Sequence, residues 1–98
     1  METWLKCKVS PGQFNVEYAV RARDFEGKGF SLFAPTETVE VEQFPGENES
    51  VEGWMCVKAE AQEGDLVLIR LPKQALGNGY YVTVRSKQLE TRPARQEA

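Results

Sequence analysis

Apolar and polar residues alternate along most of this chain, with the two-residue period of a β-strand. The alternation is clearest at 14–20, where every second residue is apolar. Glycine and proline interrupt it at short intervals, as they do where short strands are joined by turns. Strands are therefore predicted at 4–9, 14–23, 30–34, 38–42, 53–61, 66–71 and 80–85.

Three segments carry features that the alternation alone does not explain. Residues 58–63 have helix propensity, so a helical turn competes with the strand there. Asn78-Gly79 predicts a hairpin, because both residues tolerate the positive φ of a type I′ turn. Residues 45–53 predict a polar, acidic loop.

These strands predict the fold class. Each has one apolar face, and a single sheet buries such a face only by folding on itself. We therefore predict an all-β protein with a single small barrel of six or seven short antiparallel strands. The barrel is predicted to span 1–90 and to be followed by a flexible C-terminal tail at 91–98.

The last third of the chain carries a recognisable pattern. A strand opens with Gly64-Asp65, the turn follows at Asn78-Gly79, and a second strand runs on to a closing Leu89. This pattern resembles the end of SH3-like barrels, in which a short 3₁₀ turn precedes the last strand. The resemblance implies binding or structural roles. The aromatic groove of signalling SH3 domains has no match here, so it assigns no binding residue.

The composition removes several kinds of chemistry. The chain has 98 residues, no histidine and two cysteines. Without histidine, most acid–base, triad and zinc sites are excluded, and Cys7 and Cys56 are predicted to be reduced thiols without a neighbouring base. We predict no enzyme, no metal and no cofactor. The weakest alternative is an enzyme that uses the carboxylates Glu40 and Glu42, which share a strand face.

The sequence shows no targeting segment. The first residues lack the basic and apolar regions of a signal peptide, and no apolar run reaches the ~20 residues of a membrane span. A cytoplasmic protein without membrane contact is predicted.

Outward aromatic residues suggest a first function. If the apolar face of 4–9 and of 53–61 lines the core, Trp4 and Trp54 point outward, each with lysines on the same face. Exposed aromatic residues mark contact surfaces. The hypothesis is an interaction module or accessory subunit that binds a protein partner or itself. Its candidate residues are Trp4, Trp54, Lys6, Lys58 and Tyr81.

Charge along the chain supports an alternative. The net charge is −3, with +1 at 1–34, −7 at 35–64 and +3 at 65–98. The basic end suggests a nucleic-acid-binding barrel that uses Arg70, Arg85 and Lys87, with tyrosines as stacking platforms. The acidic total disfavours it, because the carboxylates repel phosphates. No small-molecule substrate is evident from the sequence.

Overall fold

A computed structural model describes residues 1–77 and 79–93 as one antiparallel sheet of eight strands, curled into a half-barrel. This confirms the predicted small all-β barrel, with one strand more than the upper prediction. The elements are β1 (Glu2–Pro11), β2 (Glu17–Arg23), β3 (Gly29–Pro35), a 3₁₀ turn (Thr36–Thr38), β4 (Val39–Val41), β5 (Val51–Glu63), β6 (Leu66–Ala75), β7 (Gly79–Arg85), a second 3₁₀ turn (Ser86–Gln88) and β8 (Leu89–Arg92).

Strand β1 organises the sheet. One edge of β1 pairs with β5, and the other pairs with β8 over the first residues and with β2 over the last. Strand β5 pairs first with β1 and β4, then with β6. A register shift between Ala59 and Ala61 marks an irregularity in the β5–β6 pairing, as a bulge that bends a strand does. The sheet order is therefore β3-β2-β1-β5-β6-β7, with β4 beside β5 and β8 beside β1.

The core lies on the inner face of this curled sheet. Every second residue of the strands is buried there, as the alternation predicted. Full burial of an aliphatic side chain of this kind stabilises the fold by about 1.5–3 kcal/mol. The largest fully buried side chains are Leu5, Leu32, Met55, Ile69, Val9, Val20 and Val84.

Hydrogen bonds between hairpins draw the two ends of the sheet together. The Leu76 N–H donates to the Ser31 carbonyl at 2.8 Å, which joins the β6–β7 turn to β3. The Phe25 N–H donates to the Thr83 carbonyl at 2.9 Å, which joins the β2–β3 turn to β7. These bonds satisfy backbone groups that edge strands would otherwise leave open.

The start of β2 differs from the prediction. Strand β1 continues to Pro11, which pairs with Tyr18, so the connecting turn takes up residues predicted as strand. Phe14 and Val16 lie in that turn and are 67% and 72% exposed. The alternation at 14–16 therefore belongs to the turn, because register is set by the pairing of β1 with β2.

Two other boundaries also move. The helical turn considered at 58–63 is wrong, because these residues continue β5 as strand, and the predicted loop at 45–53 ends where β5 begins at Val51. A hairpin joins β6 and β7, but the pairing of Ala75 with Gly79 makes Gly79 the first residue of β7 rather than a turn residue. The type I′ turn stays a prediction, because Asn78 lies outside the described residues. Strand β8 spans Leu89–Arg92, on both sides of the predicted domain boundary at residue 90, and residues 94–98 of the predicted tail lie outside the described residues.

Candidate functional site

Both tryptophans lie on the outer face of the sheet, where β8, β1, β5 and β4 are neighbours. Trp4 belongs to β1 and Trp54 to β5. The guanidinium carbon of Arg92, on β8, lies 5.2 Å from the Trp4 ring centroid and 5.5 Å from that of Trp54. A cation at this distance from an aromatic face is attracted by the ring quadrupole. Trp4, Trp54 and Arg92 therefore form one cluster, called the tryptophan clasp below.

Two carboxylates hold Arg92 in the tryptophan clasp. Its Nη2 donates to Glu90 at 3.0 Å and its Nη1 donates to Glu40 at 2.7 Å. These hydrogen bonds, that to Glu90 first, raise the pKa of Arg92 above its ordinary value. The guanidinium is therefore fixed over the rings rather than extended into solvent.

The clasp corrects the expectation of two exposed tryptophans. Both rings face away from the core, as the alternation predicted, but Trp4 is only 3% exposed and Trp54 is half-buried. The physical reason is Arg92, on β8, whose guanidinium lies over both rings; residue 92 was predicted to lie in the tail. Trp4 is therefore not available as a contact residue.

The other predicted contact residues are not all close to the clasp. Lys6 pairs with Trp54 across β1 and β5. Lys58 lies further along β5 and is 3.9 Å from Glu60. Tyr81 lies on β7, in the other half of the sheet. The structure therefore brings Trp4, Trp54 and Lys6 together and leaves Lys58 and Tyr81 apart from them.

A second aromatic group is open to solvent on the β6–β7 hairpin. The Arg70 guanidinium carbon lies 5.2 Å from the Tyr80 ring centroid and 5.8 Å from that of Tyr81. Arg70 is exposed, and the tyrosines are 40% and 50% exposed. These three residues are called the Arg70 surface below. The nucleic-acid alternative had named Arg70 together with the tyrosines, whereas the protein-binding hypothesis had named Tyr81 alone among these three.

The Arg70 surface lies at an edge of the sheet. Strand β7 pairs with β6 alone among the described strands. Thr83 uses its carbonyl to accept a bond from Phe25, on the side away from β6. Since backbone groups alternate in direction along a strand, Tyr81 directs its N–H and C=O to that same outer edge.

Two of the three predicted nucleic-acid contacts lie away from Arg70. Arg85 pairs with Leu66 at the other end of the hairpin. Its Nη1 donates to Asp65 at 3.1 Å and its Nε donates to the Phe25 carbonyl at 3.2 Å. Lys87 is exposed in the second 3₁₀ turn. All three side chains are exposed, but among the described residues Arg85 forms an ion pair, with Asp65, whereas Arg70 and Lys87 form none.

A basic cleft lies where β2 and β8 diverge along the edge of β1. Its volume is about 590 Å³. Its floor includes Cys7, Ala22 and Phe30, all of them buried. Its rim carries four cations, one amide and one carboxylate, namely Lys6, Lys8, Arg21, Arg23, Gln88 and Glu52. Sequence reasoning missed this cleft, although β1 carries Lys6 and Lys8 and β2 carries Arg21 and Arg23, each pair two residues apart.

The electrostatics of the basic cleft depend on Glu52. One of its oxygens lies 2.6 Å from Lys8 Nζ and the other lies 3.7 Å from Lys6 Nζ. The hydrogen bond from Lys8 and the charges of both lysines lower the pKa of Glu52. Burial, and then the charge of Glu52, raise the pKa of the Cys7 thiol to about 12. The raised pKa keeps Cys7 as the neutral thiol near pH 7, so the cleft floor carries no charge there.

The described residues give two further findings. They hold no group of three or more histidine, cysteine, aspartate or glutamate side chains arranged to bind a metal ion. No helix among them has the length and apolar character needed to cross a membrane.

Comparisons with protein-family models, with curated proteins and with solved structures found nothing that matches this chain.

Proposed function

We propose that the protein is a non-catalytic interaction module that binds a protein partner through the Arg70 surface. The observation that carries this proposal is the exposure of Tyr80 and Tyr81, with the guanidinium of an exposed arginine close to both rings. Tyrosine and arginine are enriched among the residues that dominate binding energy at protein interfaces. The tryptophan clasp is the weaker candidate, because Arg92 and β8 cover its rings.

The open edge of β7 adds a second means of contact. A partner strand that pairs with this edge would receive backbone hydrogen bonds at Tyr81, while the tyrosine rings and Arg70 contact its side chains. The side-chain contacts would then give specificity, and the backbone hydrogen bonds and side-chain contacts together would give affinity. Self-association is one form of this binding, since two copies present the same edge.

The test compares two variants that each remove one exposed aromatic ring. Tyr81→Ala changes the Arg70 surface, and Phe14→Ala, in the β1–β2 turn, is the matched control. Proteins captured by the wild-type chain are identified, and their affinities are measured for each variant. Loss of a dominant interface residue weakens binding about 30-fold, and we expect this for Tyr81→Ala and no change for Phe14→Ala.

Two results would contradict the proposal. Equal binding by Tyr81→Ala and wild type, with both shown folded by circular dichroism, would remove the Arg70 surface from the contact. Binding that requires nucleic acid, shown by its loss after nuclease treatment, would favour base stacking on the same tyrosines instead. Sedimentation of the purified chain separates self-association from binding to another protein.

A further inference from the structure

We propose that the basic cleft binds a small molecule that carries a phosphate monoester, with the phosphate held between Lys8 and Arg21. The cleft shares no residue with the Arg70 surface, so this inference goes beyond the proposed function and does not depend on it.

The first argument is the arrangement of like charges. Lys8 and Arg21 are direct cross-strand partners in the β1–β2 pairing. Like charges placed opposite each other destabilise a sheet, and Lys6 and Arg23 add further positive charge to the same rim. The one carboxylate of the rim, Glu52, forms ion pairs with the two lysines but not with the two arginines. An anionic ligand would relieve this repulsion.

The second argument is the position of Glu52. Its carboxylate already places oxygens against Lys8 and Lys6, so the cleft has the geometry to hold an oxyanion. Within the described part of the chain, Arg21 makes no ion pair. Arg23 donates one hydrogen bond, from Nη1 to the Gly27 carbonyl at 2.9 Å. Both guanidinium groups retain donors, and their planar fork suits phosphate oxygens.

The third argument is the size and chemistry of the cleft floor. A volume of about 590 Å³ exceeds the needs of a bare phosphate and falls among the volumes typical of small-molecule sites. The floor of Cys7, Ala22 and Phe30 is apolar and neutral, so it offers contact to an organic group. Together, a basic rim and an apolar floor fit a phosphate ester better than inorganic phosphate.

The binding test is an NMR titration of the whole chain at constant ionic strength. The probes are adenosine monophosphate, inorganic phosphate and adenosine. Ser31 also lines the cleft and is the cross-strand partner of Arg21 on β3. We expect adenosine monophosphate to shift the amide signals of Lys8, Arg21 and Ser31, inorganic phosphate to shift the same signals with weaker affinity, and adenosine to have little effect. Shifts spread over all basic residues, or no shifts at millimolar concentrations, would overturn the proposal.

Two pairs of variants separate a built site from general charge attraction. Arg21→Gln should weaken binding of adenosine monophosphate about tenfold, whereas Lys73→Gln, outside the cleft, removes the same charge and should have little effect. Glu52→Gln should strengthen binding, because it frees both lysines, whereas Glu47→Gln in the β4–β5 loop should not.

The remaining outcomes are also decisive. Equal strengthening by Glu52→Gln and Glu47→Gln would show charge attraction without a site and overturn the proposal. A single-stranded oligonucleotide that binds the same residues more tightly than adenosine monophosphate would make the cleft a nucleic-acid surface and would also overturn it. A gain of affinity cannot result from unfolding. The Glu52→Gln variant therefore still tests the proposal if Arg21→Gln fails to fold.

Discussion

Asp65 shows how one residue ties distant parts of this chain together. Its carboxylate accepts hydrogen bonds from Ser86 Oγ at 2.6 Å and from Arg85 Nη1 at 3.1 Å. The hydrogen bond from Ser86, then that from Arg85, lowers the pKa of Asp65. The sequence identified Gly64-Asp65 as a strand opening but assigned Arg85 to nucleic acid. A partner 20 positions away becomes visible only when the pairing of β6 with β7 is known.

The lowered pKa predicts how Ser86→Ala depends on pH. A carboxylate whose folded pKa is depressed stabilises the fold above its unfolded pKa, ordinarily near 3.9, and loses this contribution as the pH falls through the folded pKa. Ser86→Ala should therefore raise the Asp65 pKa towards its ordinary value and lower the midpoint of thermal unfolding at pH 7, with a smaller difference in acid. NMR titration and thermal denaturation measure these effects.

The control for this prediction is Ser50→Ala, because Ser50 is exposed in the β4–β5 loop. It should change neither the pKa of Asp65 nor the unfolding midpoint. An Asp65 pKa that is the same in wild type and Ser86→Ala would show that the hydrogen bond does not carry the shift.

Gly53 predicts a steric effect at the residue scale. A Cβ atom there would lie 2.8 Å from Val9 Cγ2 and 2.9 Å from the Glu40 carbonyl oxygen. Because β1 and β4 flank this position closely, Gly53→Ala should destabilise the fold by about 1–3 kcal/mol. Urea unfolding measures this loss. Gly29→Ala is the control, since its nearest contact would be 3.9 Å, and equal losses in both variants would contradict the explanation.

Among the elements, the long strands and their buried faces were predicted well, whereas strand β8 was not predicted. Each long strand carries its own alternation, so its buried face can be predicted from its sequence. Strand β8 is four residues long and none of them is fully buried. It is a strand because β1 extends beyond its pairing with β2 and offers an edge there. That edge depends on the strand register, which the composition of 89–92 does not reveal.

The tryptophan clasp predicts a fluorescence change when its cover is removed. Arg92→Ala takes away the side chain that lies over both indole rings. We expect a shift of tryptophan emission to longer wavelength and stronger quenching by acrylamide, because water reaches Trp4 and Trp54. Arg70→Ala is the matched control, since it removes an arginine that stacks on tyrosines instead. Unchanged emission in Arg92→Ala would mean that the strands alone shield the rings.

At the scale of the whole molecule, the positive charge that is available for binding is distributed differently from the charge along the sequence. The segment charges placed positive charge at 65–98, yet Arg85 and Arg92 of that segment are engaged with Asp65, Glu40 and Glu90. The basic cleft instead takes its cations from 1–34, where the segment charge is only +1 because Glu2, Glu17, Asp24 and Glu26 offset them. A sum along the chain cannot show which strands become neighbours. The fold class and the residues Arg70 and Tyr81 were therefore predictable, and the position of the basic cleft was not.

The pairing of β1 with β8 has a consequence for the order in which the chain folds. The β2–β3 and β6–β7 hairpins close short loops, whereas the pairing of β1 with β8 closes a loop of most of the chain, at a larger entropic cost. We therefore expect β8 to dock late in folding and to be released early in unfolding. Because this strand completes the cover of Trp4, tryptophan emission in a refolding experiment reports the final step of assembly rather than the first collapse.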